Sequence, residues 1–171
     1  MQAEGRTALK VRRWRTLFGV AWAVWIVDLA TKIWAVNNLS YKSNVKVFGE
    51  FFQLTFVRNP GAAFSFAAGA TIFLTLFGLF VMTAILYFSP QITSSGWAVV
   101  LGLVLGGILG NMVDRIFREP GVLRGHVIDW LQLPNWPVFN IADTAIVAAA
   151  LISMVLTARN IPPITKVGSQ P

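Results

Sequence analysis

Long apolar runs broken by short polar clusters dominate this chain. From Asn59 to Val113, 55 consecutive residues include no Asp, Glu, Lys or Arg. A membrane-spanning helix needs about 20 mostly apolar residues, so the stretch holds two spans. One covers about Phe66–Phe88; the other runs from about Gly96 to Arg115, just past the end of the charge-free stretch. The turn-rich link Ser89-Pro90-Gln91-Ile92-Thr93-Ser94-Ser95 separates them. Two further runs flank this pair. Leu17–Val36 is interrupted only by Asp28 and Lys32, and Phe139–Ala158 has Asp143 near its start. The pattern predicts an all-α membrane protein, a four-transmembrane-helix bundle forming one domain over residues 1–171, with spans near 17–36, 66–88, 96–115 and 139–158. Residues 37–65 and 116–138 are then the outer segments. In the first, Phe52, Leu54 and Phe56 alternate with Gln53, Thr55 and Val57, and Gly49-Glu50 supplies a turn. This predicts a small extracytoplasmic β layer over Val45–Val57. The second, rich in Pro and Gly, is expected to be irregular with at most one short helix.

Composition agrees. Hydrophobic residues make up 56% and charged residues 12% of the 171, against about 45–50% and about 25% in soluble domains. The net charge of +7 is explained by basic residues flanking the spans, without a nucleic-acid partner. The absence of cysteine excludes disulfides, thiolate nucleophiles and zinc–cysteine sites. The single histidine, His126, excludes an H-E-x-x-H site and is read as a loop residue near the headgroups. Lys10, Arg12, Arg13 and Arg15 form a basic n-region, but Asp28 and Lys32 stand where a cleavage site would follow and no clean A-x-A site appears there, which argues against a cleaved leader. That cluster holds the N-terminus in the cytoplasm. Four spans return the C-terminus, with Arg159 and Lys166, to the same side. Lys and Arg then number 7 inside and 6 outside, so orientation rests on the first span.

The acids carry the candidate chemistry. At ~1.5 Å per residue, Asp28 lies ~17 Å above Leu17, Asp114 ~27 Å above Gly96 and Asp143 ~24 Å above Arg159. In a hydrocarbon core of about 30 Å, all three fall in the outer half or at its boundary. Asp129, on the second outer segment, can reach the same layer. Asp28 and Lys32 are spaced to neutralise each other, as are Asp114 and Arg118. Asp129 stands among Val127, Ile128, Trp130 and Leu131, which favours its protonated form. Asp143 can cap the last helix. A carboxylate pair that shares a proton can act as base and acid together, which is aspartic-protease chemistry. Asn59, Asn111 and Asn140 each stand at the outer face, where an amide can hold a peptide backbone or simply close a turn. Gly102, Gly106, Gly107 and Gly110 favour close helix packing, and most of the seven Trp are interface anchors. Two other classes use such residues: a proton-coupled transporter, which places its acid nearer the midplane, and a non-enzymatic assembly subunit.

Five motifs occur in order: Asp28-Leu29-Ala30-Thr31-Lys32, Asn59-Pro60-Gly61-Ala62-Ala63-Phe64, Gly110-Asn111-Met112-Val113-Asp114-Arg115, His126-Val127-Ile128-Asp129-Trp130 and Phe139-Asn140-Ile141-Ala142-Asp143. Through them the chain resembles the lipoprotein signal peptidases (signal peptidase II), four-helix bacterial membrane aspartic endopeptidases. It departs from the family pattern at Pro60 and Trp130. The resemblance implies a catalytic pair of Asp129 and Asp143, supported by Asn59, Asn111, Asp114, Arg115, Asn140, Asp28 and Lys32. It implies no metal or cofactor. Its substrates would be lipid-modified prolipoproteins, cut before the diacylglyceryl-modified cysteine. The expected setting is the bacterial cytoplasmic membrane, among membrane lipids, as a monomer with both termini cytoplasmic and the active site at the outer face.

The orientation is directly testable, because the chain has no cysteine of its own. With a membrane-impermeant thiol reagent on intact spheroplasts, Ser43→Cys and Pro120→Cys should label, whereas Ser94→Cys and Ser169→Cys should not. The opposite labelling pattern inverts the protein.

Overall fold

A computed structural model describes the backbone of residues 2–41, 44–61 and 69–164, with side chains described except at 2–12, 69 and 70. Four helices and three strands follow one another: α1 (Gln2–Leu39), β1 (Val45–Phe48), β2 (Phe52–Asn59), α2 (Gly69–Phe88), α3 (Ser95–Phe117), β3 (Val127–Gln132) and α4 (Ile141–Ala158). All four helices are long and apolar enough to cross a membrane. Trp22, Ile33, Phe73, Phe80, Leu151 and Met154 are exposed, which suits a surface whose solvent is lipid.

The central helix is α3: 50% of its span is buried, against 22% for α1 and 17% each for α2 and α4. Its glycines explain why. A Cβ at Gly102 would sit 2.6 Å from the Leu17 carbonyl oxygen, and one at Gly106 would sit 2.7 Å from that of Ala21. On another face, a Cβ at Gly107 would lie 2.7 Å from the Ala142 carbonyl oxygen. The missing side chains therefore let the backbones of α1 and α4 press directly onto α3, the small-residue packing that substitutes for hydrophobic driving force in lipid.

The three strands form one antiparallel sheet in the order β1-β2-β3, with Val45 opposite Leu54 and Val57 opposite Asp129. It closes one end of the bundle. There Ile128, Trp130 and Leu131 pack with Ala35 and Leu39 of α1 and with Phe52, Leu54 and Phe56 of β2. The hairpin follows the expected alternation, with β2 running two residues further, to Asn59. β3 corrects the expectation of an irregular second segment, and no short helix forms among its described residues. Residues 127–131 are all buried, so polar and apolar positions do not alternate and the strand lacks a period-2 signature.

Helix boundaries differ modestly. α1 continues through the basic N-terminal segment, whereas α4 begins at Ile141 because Phe139 pairs with Leu131 and Asn140 caps the helix. The expected start of the second helix at 66–68 lies outside the described residues, as do Ala62-Ala63-Phe64 and Lys166.

Candidate active site

The site begins with a buried cation. Lys32 on α1 points its ammonium at Asp28 (2.8 Å) and at Asp114 of α3 (2.9 Å), with all three side chains no more than 1% exposed. Its Nζ also donates to Asn111 Oδ1 at 2.9 Å. Each carboxylate then holds another element. Asp28 Oδ1 accepts from the Ala142 amide at the start of α4, at 2.9 Å. Asp114 accepts from the Ile128 amide of β3 at 3.2 Å and from Arg118. The two carboxylates are thus balanced by Lys32 and Arg118 and fix four elements around one point.

Above this layer stand the remaining acids. Asp143 and Asn140 form a reciprocal cap on α4: the Asp143 amide donates to Asn140 Oδ1 at 2.9 Å, and the Asn140 amide to Asp143 Oδ2 at 3.2 Å. Asn111 Nδ2 donates to Asp143 Oδ1 at 2.8 Å. Asn140 Nδ2 donates to Asp129 Oδ1 at 2.6 Å, and Asn59 Nδ2 to Asp129 Oδ2 at 2.7 Å. Each of the four carboxyl oxygens of Asp129 and Asp143 therefore accepts from an amide. The backbone amide of Asn140 donates to Asp143 and its side-chain amide to Asp129, so one residue also links the two acids.

The two acids differ in environment. Asp129 is 1% exposed, whereas Asp143 is only half-buried. Burial pushes the Asp129 carboxyl up to about 7, assisted by the negative charge of Asp143 and opposed by the amides of Asn59 and Asn140 and the charge of Lys32. Asp143 opens onto a cavity of about 340 Å³ between α2, α3 and α4. Its wall is apolar, with Leu74, Phe77, Val81, Ile108 and Ile146, and its polar end is Asn111, Arg115 and Asp143. Buried Arg115 Nη1 has no hydrogen-bond partner among the described residues.

Eight of the nine residues expected from the sequence thus form one hydrogen-bonded and ionic network, and Arg115 lines the adjoining cavity. Reading the sequence overlooked Gly125, where a Cβ would lie 2.8 Å from the Arg118 carbonyl oxygen and 3.0 Å from that of Arg115. Only a glycine lets the 118–126 loop fold back onto the end of α3 and deliver β3. A lone glycine in a loop gives no such signal. The amides of Ile128 and Ala142 were likewise invisible, since backbone donors leave no mark in side-chain patterns.

A multi-pass helical bundle that closes around a buried acid cluster beneath a small sheet has the build of a membrane-embedded enzyme. The family model for signal peptidase (SPase) II matches residues 20–159. A lipoprotein signal peptidase of Leifsonia xyli subsp. xyli is 46% identical over 91% of this chain and 73% of its own length. One of Rhodococcus jostii is 49% identical over 82% and 71%. A bacterial membrane enzyme solved by the in meso method at 1.9 Å resolution superposes with a TM-score of 0.74 at 25% identity, covering 85% of this chain and 94% of that one. The chain belongs to the signal peptidase II family and is a protease of bacterial membranes.

The Asp129 environment has a consequence for stability. Its carboxyl rises from 3.8 to about 7 on folding, so between these values the folded state binds the proton that the unfolded state has lost. The stability that this one carboxyl contributes is present in full below 3.8 and is lost as pH rises through about 7. Thermal unfolding in detergent should show this decline for the wild type, and Asp129→Asn should flatten it. An unchanged pH slope in the variant would contradict the assignment.

Proposed function

We propose that the protein removes signal peptides from prolipoproteins by cutting before the diacylglyceryl-modified cysteine, with Asp129 and Asp143 as its catalytic pair. The observation that carries this reading is the asymmetry of the pair. One acid is buried with its carboxyl pushed up to about 7; the other is half-buried and opens on an apolar cavity at membrane depth. Such a split of environments assigns acid and base roles to chemically identical side chains.

Asp143, ionised, takes a proton from water as the water oxygen attacks the scissile carbonyl. Asp129, protonated, gives its proton to the carbonyl oxygen, so the tetrahedral intermediate forms as a neutral gem-diol. Asp143 then returns its proton to the departing amine nitrogen as the C–N bond breaks, and Asp129 recovers a proton from a gem-diol hydroxyl. Both acids end as they began. Asn59, Asn111 and Asn140 hold the carboxyls by their amides. Lys32 and Arg118 together balance the charges of Asp28 and Asp114 and hold them in place beneath the pair. Arg115 Nη1, which has no hydrogen-bond partner among the described residues, supplies a donor for a substrate carbonyl. The apolar wall of the cavity takes the hydrophobic part of the substrate, and its acyl chains remain in the bilayer. The sheet end faces the outside of the cytoplasmic membrane, both termini face the cytoplasm, and the enzyme works as a monomer without metal or cofactor.

In detergent with a lipidated substrate peptide, Asp129→Asn and Asp143→Asn should each lower cleavage by about a thousandfold or more. The double variant should be no worse than either single one, because the residues act as a unit. A chelator should leave the wild-type rate unchanged. Retention of more than a few per cent of activity by either folded variant would remove that residue from the catalytic pair.

A further inference from the structure

The ladder that presents Asp129 to the catalytic layer has a reverse side. Val57 pairs with Asp129 and Asn59 with Val127, while Arg58 lies between them opposite Ile128. Successive strand residues point to opposite faces, so Arg58 and Ile128 turn away from the Asn59–Asp129 bond. His126, two residues before Ile128, falls on the same side. Here a cavity of about 320 Å³ is lined by Arg58, Phe117, Arg118, Glu119, His126 and Ile128.

Its chemistry is cationic and only partly used. Arg58 is exposed and forms no ion pair among the described residues. Arg118 spends its Nε on Asp114, and a guanidinium has further N–H donors to offer. The half-buried His126 gives its backbone amide to the Glu119 carbonyl oxygen, leaving its ring free of any bond described here. With Arg118 balanced by Asp114 and Arg58 set against Glu119, the lining offers more unspent N–H donors, from two guanidinium groups and an imidazole, than acceptors. Its depth is fixed by Phe117, the last residue of α3, which is 79% exposed. An apolar ring at the end of a spanning helix marks the edge of the hydrocarbon, where headgroups begin.

We propose that this cavity binds the headgroup of an anionic phospholipid of the phosphatidylglycerol type. The phosphate is held by Arg58, Arg118 and His126, the glycerol hydroxyls reach Glu119, and the acyl chains run down past Phe117. A free phosphate would satisfy the cations but would leave the exposed aromatic rim without an occupant. The bound headgroup would clamp the end of α3 to the β2–β3 ladder from behind, through the Arg118–Asp114–Ile128 contacts.

Native mass spectrometry of the full chain in detergent tests this without reference to proteolysis. Phosphatidylglycerol should be retained about tenfold more tightly than zwitterionic phosphatidylethanolamine. Arg58→Gln with His126→Gln should abolish that preference, and each single substitution should lower it if the double variant does not purify. Arg159→Gln at the far end of α4 removes a charge of the same sign and should leave the preference intact. Inorganic phosphate at the lipid concentration should not displace the lipid. Equal retention of the two lipids, an unchanged preference in the Arg58 and His126 variants, an equal loss in Arg159→Gln, or displacement by inorganic phosphate would each overturn the proposal.

Discussion

Lys32 places its ammonium between Asp28 at 2.8 Å and Asp114 at 2.9 Å, fully enclosed by protein. A buried charge of this kind is costly unless it is paired, and removing one partner of such a pair costs about 3–5 kcal/mol. The contact matters here because each carboxylate also grips backbone elsewhere. Asp28 holds the start of α4 through Ala142, and Asp114 holds β3 through Ile128. Asn111, which accepts from the same ammonium, carries the link upward to Asp143. Helix packing alone could bring α1, α3 and α4 together through Gly102, Gly106 and Gly107. It could not fix the rotation and height that put Asp129 opposite Asn140.

The same residue type does two kinds of work because its surroundings differ. Asp28 and Asp114 lie against a cation and act as struts. Asp129 meets two asparagine amides in a buried setting, and burial outweighs them, so its carboxyl holds a proton up to about 7. A neutral amide steadies a carboxyl without the full electrostatic bias of an ammonium. Three asparagines around two acids therefore position them, as the acid–base chemistry proposed for the pair requires.

Much of this was legible in the chain. The 55-residue charge-free stretch fixed the two central spans, and helix rise alone placed Asp28, Asp114 and Asp143 in one layer. The i,i+4 spacing of Asp28 with Lys32 and of Asp114 with Arg118 anticipated two ion pairs that the structure contains. What escaped is what side-chain patterns do not encode. β3 is buried on both faces and does not alternate, and Gly125 makes room for a loop whose path depends on the end of α3. The convergence of Lys32 on Asp114, 82 residues away, depends on how α1 rotates against α3. Glycine spacing permits that contact but does not specify it.

The central claim is that Asp129 keeps a carboxyl proton near neutral pH because it is buried beside Asp143 and held only by amides. Infrared difference spectroscopy of the detergent-solubilised protein, titrated between acid and neutral pH, reads this directly from the carbonyl stretch of a protonated carboxyl. The account predicts a band that disappears with a midpoint of about 7 and is missing from Asp129→Asn. If no carboxyl band survives above about pH 5, near the ordinary carboxylate range, or if the band persists in Asp129→Asn, the account is wrong.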